Sequence, residues 1–492
     1  MTKPYPFIRY TVVFFMIIFV SCDQLSKNNS NKFQIISEIE NNKESPFYID
    51  FKKYPGNKKT LPIGVFDSGT GGLTVLNSIL ELDKYNNVTY KAGSDGVPDF
   101  NTEKFIYLAD EANMPYGKYS SEGKTELLQE HVIKDVGFLL GNKYYINPTD
   151  KIAKTDKEVV KAIVIACNTA TAFGLEVIDE AIKQWGVDIE VIGIIEAGSK
   201  STVEKMNQSD GLNSVVGVLA TEGTCTSNGY LLSVKKNFKE KFGDNIEVIQ
   251  QAGVGLAAAI DGDLNYVDPE LTEISKERIY HGPSMNNQYY PVHLALMKEY
   301  NFDAGNALIV ERNDEDNIVD MQLNSIGNYI KYCVTQLVVQ SFEKCPDRVL
   351  NSVILGCTHY PFFEKDILDH LLYLKNLDEK YNKIIDKEII LIDPAEALAM
   401  QLFRYLSAEK IIGSENNKNS KFFISVPNPL LEENEIDKSG EFTFQYKYGR
   451  EPNSMLQYVK RLPFSDGLID KKIYQRIEIN LPYTYYLIRN QK

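Results

Sequence analysis

The chain has 492 residues, 43% hydrophobic and 24% charged, a globular composition with length for about two domains. A net charge of −14 and a pI near 5.1 argue against the basic face that phosphate contacts require, so no nucleic-acid partner is expected. A small anionic ligand would need local donors instead.

At the N-terminus, Lys3 and Arg9 precede an apolar stretch from Thr11 to Val20, and Ser21 and Cys22 follow. The charged start and short apolar core read as a secretion signal, too short to span a bilayer comfortably. Cys22, directly after a small residue, makes residues 1–22 resemble a bacterial lipoprotein signal, in which the cysteine is acylated after cleavage. An ordinary cleaved signal or a weak anchor are the alternatives. The expectation is a lipid-anchored protein on the periplasmic side or cell surface, with a cytoplasmic location as the rival. Residues 23–60, rich in Asn, Lys and Ser, read as a flexible tether.

Next comes a strand at Ile63–Phe66, a Gly-rich turn at Ser68–Gly72 and an apolar-periodic helix. A polar loop covers about 86–102, a second strand runs from Lys104 to Asp110, and a loop carries Pro115, Tyr116 and Gly117. A helix over about 122–140 and a polar insertion lead to "AIVIACNTAT", a strand that ends at Cys167. Strands alternating with helices predict a parallel sheet covered on both faces. The scheme restarts at Ser214–Thr224, where Gly217 to Thr221 align with Gly64 to Ser68. The same alignment sets Cys167 against Cys357, in "SVILGCTHYP". The first half therefore spans 61–160 and 161–213, and the second spans 214–399 with an insertion over about 265–345. Residues 400–492 form an extension that partly completes the fold, with "FFISVPNP" as a closing strand. The fold class is α/β, with ligand expected at the carboxyl ends of the strands in a cleft between two pseudo-symmetric parallel-sheet domains.

Apart from Cys22 there are five cysteines, Cys167, Cys225, Cys333, Cys345 and Cys357, an odd number that makes a poor disulfide framework. No CxxC pair occurs and the five histidines lack zinc-ligand spacing, so no metal is expected. A cysteine between a strand end and a helix start lies at the positive end of the helix dipole, which favours thiolate. The amides and the Thr and Asn side chains that follow can hold a carboxylate. Two thiols facing each other across a cleft suit proton removal from one face of a carbon and delivery to the other. One must then be thiolate and the other thiol, and a charge on one raises the pKa of its neighbour. A single buried cysteine is ordinarily a core residue, and Asp67, Ser68, Thr221 and Thr224 could simply cap helices. Repetition of the same turn favours chemistry for Cys167 and Cys357, whereas Cys225, Cys333 and Cys345 are expected to have no such role.

Asp67-Ser68-Gly69, Pro115-Tyr116-Gly117, Cys167-Asn168-Thr169-Ala170, Thr221–Thr224, Gly356–Pro361 and "IDPAEALA" at Ile392–Ala399 together resemble the cofactor-independent glutamate racemases, of the aspartate/glutamate racemase superfamily. That resemblance implies two flavodoxin-like domains, no cofactor (neither pyridoxal phosphate nor metal), and glutamate as substrate. It gives Cys167 and Cys357 the acid/base roles, the first on the D- and the second on the L-enantiomer. Asp67 would serve Cys167 and the substrate ammonium, and His359 would tune Cys357. Ser68, Pro115, Tyr116, Gly117, Asn168, Thr169, Thr221, Thr224 and Thr358 would bind the substrate with Asp67 and His359. His359 favours glutamate over aspartate, and a homodimer is compatible with the resemblance. Where the family carries a carboxylate in the second half, the alignment offers Asp261 one way and Ile260 another. The family's usual task, D-glutamate supply for peptidoglycan, is cytoplasmic and conflicts with an export signal. That conflict motivates a rival expectation, a non-catalytic amino-acid-binding lipoprotein on the same fold.

Overall fold

The computed structural model describes residues 33–492 apart from 207–212, 244, 261, 276, 277, 279, 414–418, 439, 470 and 492. The expected signal with Cys22, and Asp261, lie outside the described residues.

Residues 33–60 are not the tether that their polar composition suggests. Phe33, Ile35, Ile36 and Ile39, in and just before helix α1 (Gln34–Asn41), are all buried. The Trp185 indole donates to the Ile36 carbonyl at 3.0 Å. The apolar stripe has helical spacing, and the Asn and Lys residues around it masked that period in the composition.

Strands β1 (Ile63–Asp67), β2 (Phe105–Ala109), β3 (Ala162–Ile165) and β4 (Glu190–Gly193) pair in parallel. Every residue of the first three is buried, as in a sheet covered on both faces. Helices α2 (Gly72–Glu81), α3 (Thr125–Leu140) and α4 (Asn168–Trp185) connect them, and α5 (Ile194–Glu204) leads out. The second half contains β5 (Ser214–Ala220), α6 (Gly229–Phe242), β6 (Glu247–Ala252), an antiparallel ribbon of β7 (Leu308–Arg312) and β8 (Ile318–Leu323), and α7 (Ile326–Lys344). It continues through β9 (Val349–Gly356), α8 (Glu364–Leu377), β10 (Ile385–Ile392) and α9 (Pro394–Ala408).

The strand order β2-β1-β3-β4 in the first half is matched by β6-β5-β9-β10 in the second. Even the close contacts repeat. A Cβ on Gly64 would lie 3.1 Å from Leu139 and 3.2 Å from Val160, and one on Gly217 would lie 3.0 Å from Leu337 and 3.1 Å from Leu350. Each central strand thus uses a glycine to admit the helix that packs on it, α3 in one half and α7 in the other. This corrects the expected insertion of 265–345. Helix α7 buries Tyr329, Cys333, Leu337 and Val338 and belongs to the repeated core, so the inserted part ends before it.

After α9 the chain returns to the first sheet. Strand β11 (Lys421–Pro427) adds in parallel to β2, and after the short helix α10 (Phe444–Gly449), β12 (Val459–Pro463) adds antiparallel as the edge. The closing strand expected from "FFISVPNP" is β11. One apolar cluster takes in Val65 of the first sheet, Val218 of the second, and Ile195, Tyr230 and Leu398 of the helices between them. The halves share a core.

Candidate active site

Strand β1 ends at Asp67, which is buried and accepts hydrogen bonds from the amides of Gly69 (3.2 Å) and Gly72 (2.9 Å). The carboxylate caps the turn into α2, as its capping alternative predicted. Burial raises its pKa against the opposing pull of those amides and of Cys167. Strand β3 ends beside it. Cys167 is the N-cap of α4, accepts from the Ala170 amide at 3.4 Å and donates to Ser68 Oγ at 3.6 Å. The turns after β1 and β3 therefore meet at the Ser68–Cys167 contact, as parallel neighbours with both carboxyl ends on one side of the sheet must.

The helix start does not leave Cys167 as a thiolate. Burial, and then the charge of Asp67, push its thiol up to about 12, and the favourable bonds from Ala170 and Ser68 are outweighed. A thiol that is 7% exposed has lost most of its hydration, and the helix terminus does not replace it. At neutral pH Cys167 therefore keeps its proton, and the neighbouring Asp67 contributes to this.

In the second half β9 ends at Gly356 and Cys357 follows, also 7% exposed. His359 Nδ1 lies 3.6 Å from its sulfur. Tyr360, fully buried, donates to the Gly253 carbonyl at 3.3 Å and bounds the same turn. Thr221 caps the short helix Glu222–Ser227 by accepting from the Thr224 amide, and the two hydroxyls stand 3.0 Å apart.

Asn168 joins the two halves of the site. Its Nδ2 donates to the Gly356 carbonyl at 3.5 Å, and its Oδ1 accepts from the Tyr230 hydroxyl at 3.0 Å. The residue after one cysteine thus bonds the residue before the other. Tyr230 escaped the sequence reading, because a tyrosine inside an apolar helix stripe carries no mark of its partner.

Ser68, Asn168, Thr169, Thr221, Thr358 and His359 are half-buried at these strand ends, and Thr224 is buried. From the first half, Gly117 comes across to within 4.0 Å of where a Cβ on Gly223 would lie. Tyr116 is placed otherwise. Its hydroxyl is buried between Asp110 (2.6 Å) and Asp135 (2.7 Å), so it is the Gly117 backbone and not the Tyr116 side chain that reaches the second half. One phenolic hydrogen cannot serve two carboxylates at once. Consistently, burial and the nearby Asp110 push Asp135 up to about 7.

Glu111 was also missed. Its Oε2 is buried with no hydrogen-bond partner among the described residues and lies 3.1 Å from the Cβ position of Gly69, behind the first turn. Burial, helped by Glu441 and Asp67, pushes this carboxyl up to about 7. Cys333 is buried in α7, as expected for a core cysteine. Among the described residues no group of three or more His, Cys, Asp or Glu side chains is arranged to hold a metal ion.

No family model matches the sequence. A glutamate racemase 1 from Caldanaerobacter subterraneus subsp. tengcongensis is 24% identical over 387 residues, 77% of this chain and 96% of the relative. The chain is similar in sequence to glutamate racemases. The glutamate racemase of Lactobacillus helveticus is 23% identical over 75% of this chain and 89% of its own length. That of Oceanobacillus iheyensis reaches 34% over 175 residues, 35% of this chain and 46% of the relative. Among solved structures, the glutamate racemase isoform RacE1 of Bacillus anthracis overlaps 74% of this chain and 89% of its own with a TM-score of 0.42 and 23% identity. The Francisella tularensis glutamate racemase, solved in complex with D-glutamate, gives 0.39 and 20%, over 81% of this chain and 100% of its own.

Proposed function

We propose that this chain is a cofactor-independent amino-acid racemase that interconverts L- and D-glutamate by two-cysteine proton transfer. The observation that carries the reading is the pair of equivalent strand-end turns bearing Cys167 and Cys357, tied by the Asn168–Gly356 hydrogen bond. Similarity to glutamate racemases over three quarters of the chain supports the substrate.

For L-glutamate, the Cys357 sulfur as thiolate takes the Cα proton. The electron pair left on Cα delocalises into the α-carboxylate, and the Cys167 thiol delivers its proton to the opposite face. His359 beside Cys357 accepts the proton that creates the thiolate, and the resulting imidazolium stabilises it. Cys167, held as a thiol by burial and Asp67, is the matching acid in the resting site. The reverse direction exchanges the roles. Thr221, Thr224, Thr358, Ser68, Asn168 and the backbone at Gly117 would supply donors to the substrate carboxylates.

The test is incubation of the protein with L-glutamate in heavy water. Deuterium at Cα together with D-glutamate is the expected result. Glutamate binding without exchange would mean a cleft that has lost catalysis, and no binding would refute the reading.

We also propose, from the sequence of residues 1–22, that Cys22 carries lipid and holds the protein at a bacterial membrane. Cys22→Ala should then move the protein to the soluble fraction. Unlipidated, uncleaved wild-type protein in the cytosol would overturn this and return the enzyme to peptidoglycan precursor supply.

A further inference from the structure

The loop from Ala112 to Gly117 is bonded locally to Asp110, Glu111 and Asp135, and at four successive residues also to the far end of the chain. The Ala112 amide donates to Ser425 Oγ at 3.0 Å. Arg450 Nη2 donates to Asn113 Oδ1 at 3.0 Å, Lys447 Nζ to the Met114 carbonyl at 2.7 Å, and the Tyr448 hydroxyl to the Pro115 carbonyl at 3.4 Å. The last two partners lie 333 residues further along the sequence. The Tyr448 ring also packs edge-on to Tyr119, with centroids 4.7 Å apart. On its other side the same loop presents Gly117 to Gly223 of the second half.

We propose that residues 447–450 are a clamp that sets the position of the Pro115–Gly117 backbone in the active site, and that Lys447 is its principal positioning residue. This rests on the racemase reading for its effect on substrate, but the clamp itself is independent of it.

Three features single out Lys447. Its bond is the shortest of the loop's bonds to this segment, and a charged donor makes a stronger hydrogen bond than a neutral one. The acceptor is a backbone carbonyl, so the bond fixes the chain path itself rather than a side chain. Arg450, by contrast, is held in a cage of Phe442, Tyr446 and Tyr458, with its guanidinium 4.7 to 5.2 Å from each ring centroid, and reaches the loop only through the Asn113 side chain. The cage anchors the clamp, and Lys447 transmits it. A loop free to wander would bind substrate at an ordering cost, which weakens affinity while leaving the two sulfurs in place.

The experiment compares Lys447→Met, Lys447→Arg and, as a control, Lys460→Met. Lys460, buried on β12, likewise donates to backbone carbonyls, those of Pro148 and Asp150, each at 2.6 Å. Two readouts are taken on the full chain: KM and kcat for glutamate, and amide hydrogen exchange of the peptide covering 111–121. Lys447→Met should raise KM about tenfold with kcat within about twofold of wild type. It should also speed exchange in that peptide, and Lys447→Arg should restore both. Lys460→Met should lower thermal stability without either effect. Unchanged loop exchange in Lys447→Met, or a rise in KM no larger than that of Lys460→Met, would overturn the clamp. A wild-type protein without racemase activity would overturn the racemase reading instead, and the exchange measurement would still decide the clamp.

Discussion

Replacing Gly356 with alanine is the sharpest test of how the two halves of the site are held in register. A Cβ there would lie 2.8 Å from the Ala220 Cβ and 2.9 Å from Tyr230 Cε2. Carbon atoms in contact prefer about 3.5 Å or more, so something must move by roughly 0.7 Å. Ala220 is the last residue of β5 and is anchored by its backbone, and Tyr230 is fully buried in the shared core. Neither can rotate away, so the strain falls on the end of β9 and on the tyrosine whose hydroxyl holds Asn168. Overpacking of this kind costs about 1–3 kcal/mol. Because Gly356 adjoins Cys357 and Asn168 adjoins Cys167, a displacement approaching 1 Å should lower kcat/KM by on the order of 10²-fold. Polarimetry in both directions, with thermal denaturation alongside, reads the two effects. Gly56→Ala, where nothing lies within 4 Å of the added carbon, is the control and should match wild type. A Gly356→Ala protein with kcat/KM within about threefold of wild type would refute the coupling between the turns.

Further outcomes are expected. Cys167→Ser and Cys357→Ser should each lose at least about 10²-fold in both directions, read by polarimetry, because the proposed route uses both sulfurs in each turnover. Near-normal turnover in either would exclude the two-thiol route. Since the Cys167 thiol is pushed up to about 12, and kcat/KM follows the free enzyme, the profile for D-glutamate should climb with pH across about 7–10. Deprotonation is what creates the base in that direction; a flat profile would show that Cys167 is already ionised. Glu111 is raised to about 7, so the folded state holds its proton more tightly than the unfolded chain does. Its stabilising contribution is complete below about pH 4 and is lost as pH rises through about 7. Glu111→Gln should accordingly gain on wild type in denaturant melts at pH 8 relative to pH 4, and a constant difference between the two would contradict this. Ile35→Ala, at a fully buried position of α1, should cost about 2–5 kcal/mol in the same assay. A cost near zero would restore the tether.

What the sequence determined by itself is the local grammar of the fold. An apolar run, a small residue, a cysteine and a polar pair form one turn, and a chain that writes this turn at Cys167 and again at Cys357 specifies two like strand ends. The matching glycines Gly64 and Gly217 were legible for the same reason: strand, turn and helix follow from residues close in sequence. Tertiary structure decided everything that depends on a distant partner. The stripe of α1 became a buried face only because Trp185 and the first core are there to receive it. Tyr116 turned its hydroxyl to Asp110 and Asp135 rather than to the cleft. Helix α7 joined the repeated core although its composition resembled the insertion before it. The Cys167 thiol shows the reason most directly. Its position at a helix start is written locally and favours ionisation, but burial and the approach of Asp67 act through space, and in a desolvated site they outweigh the helix terminus.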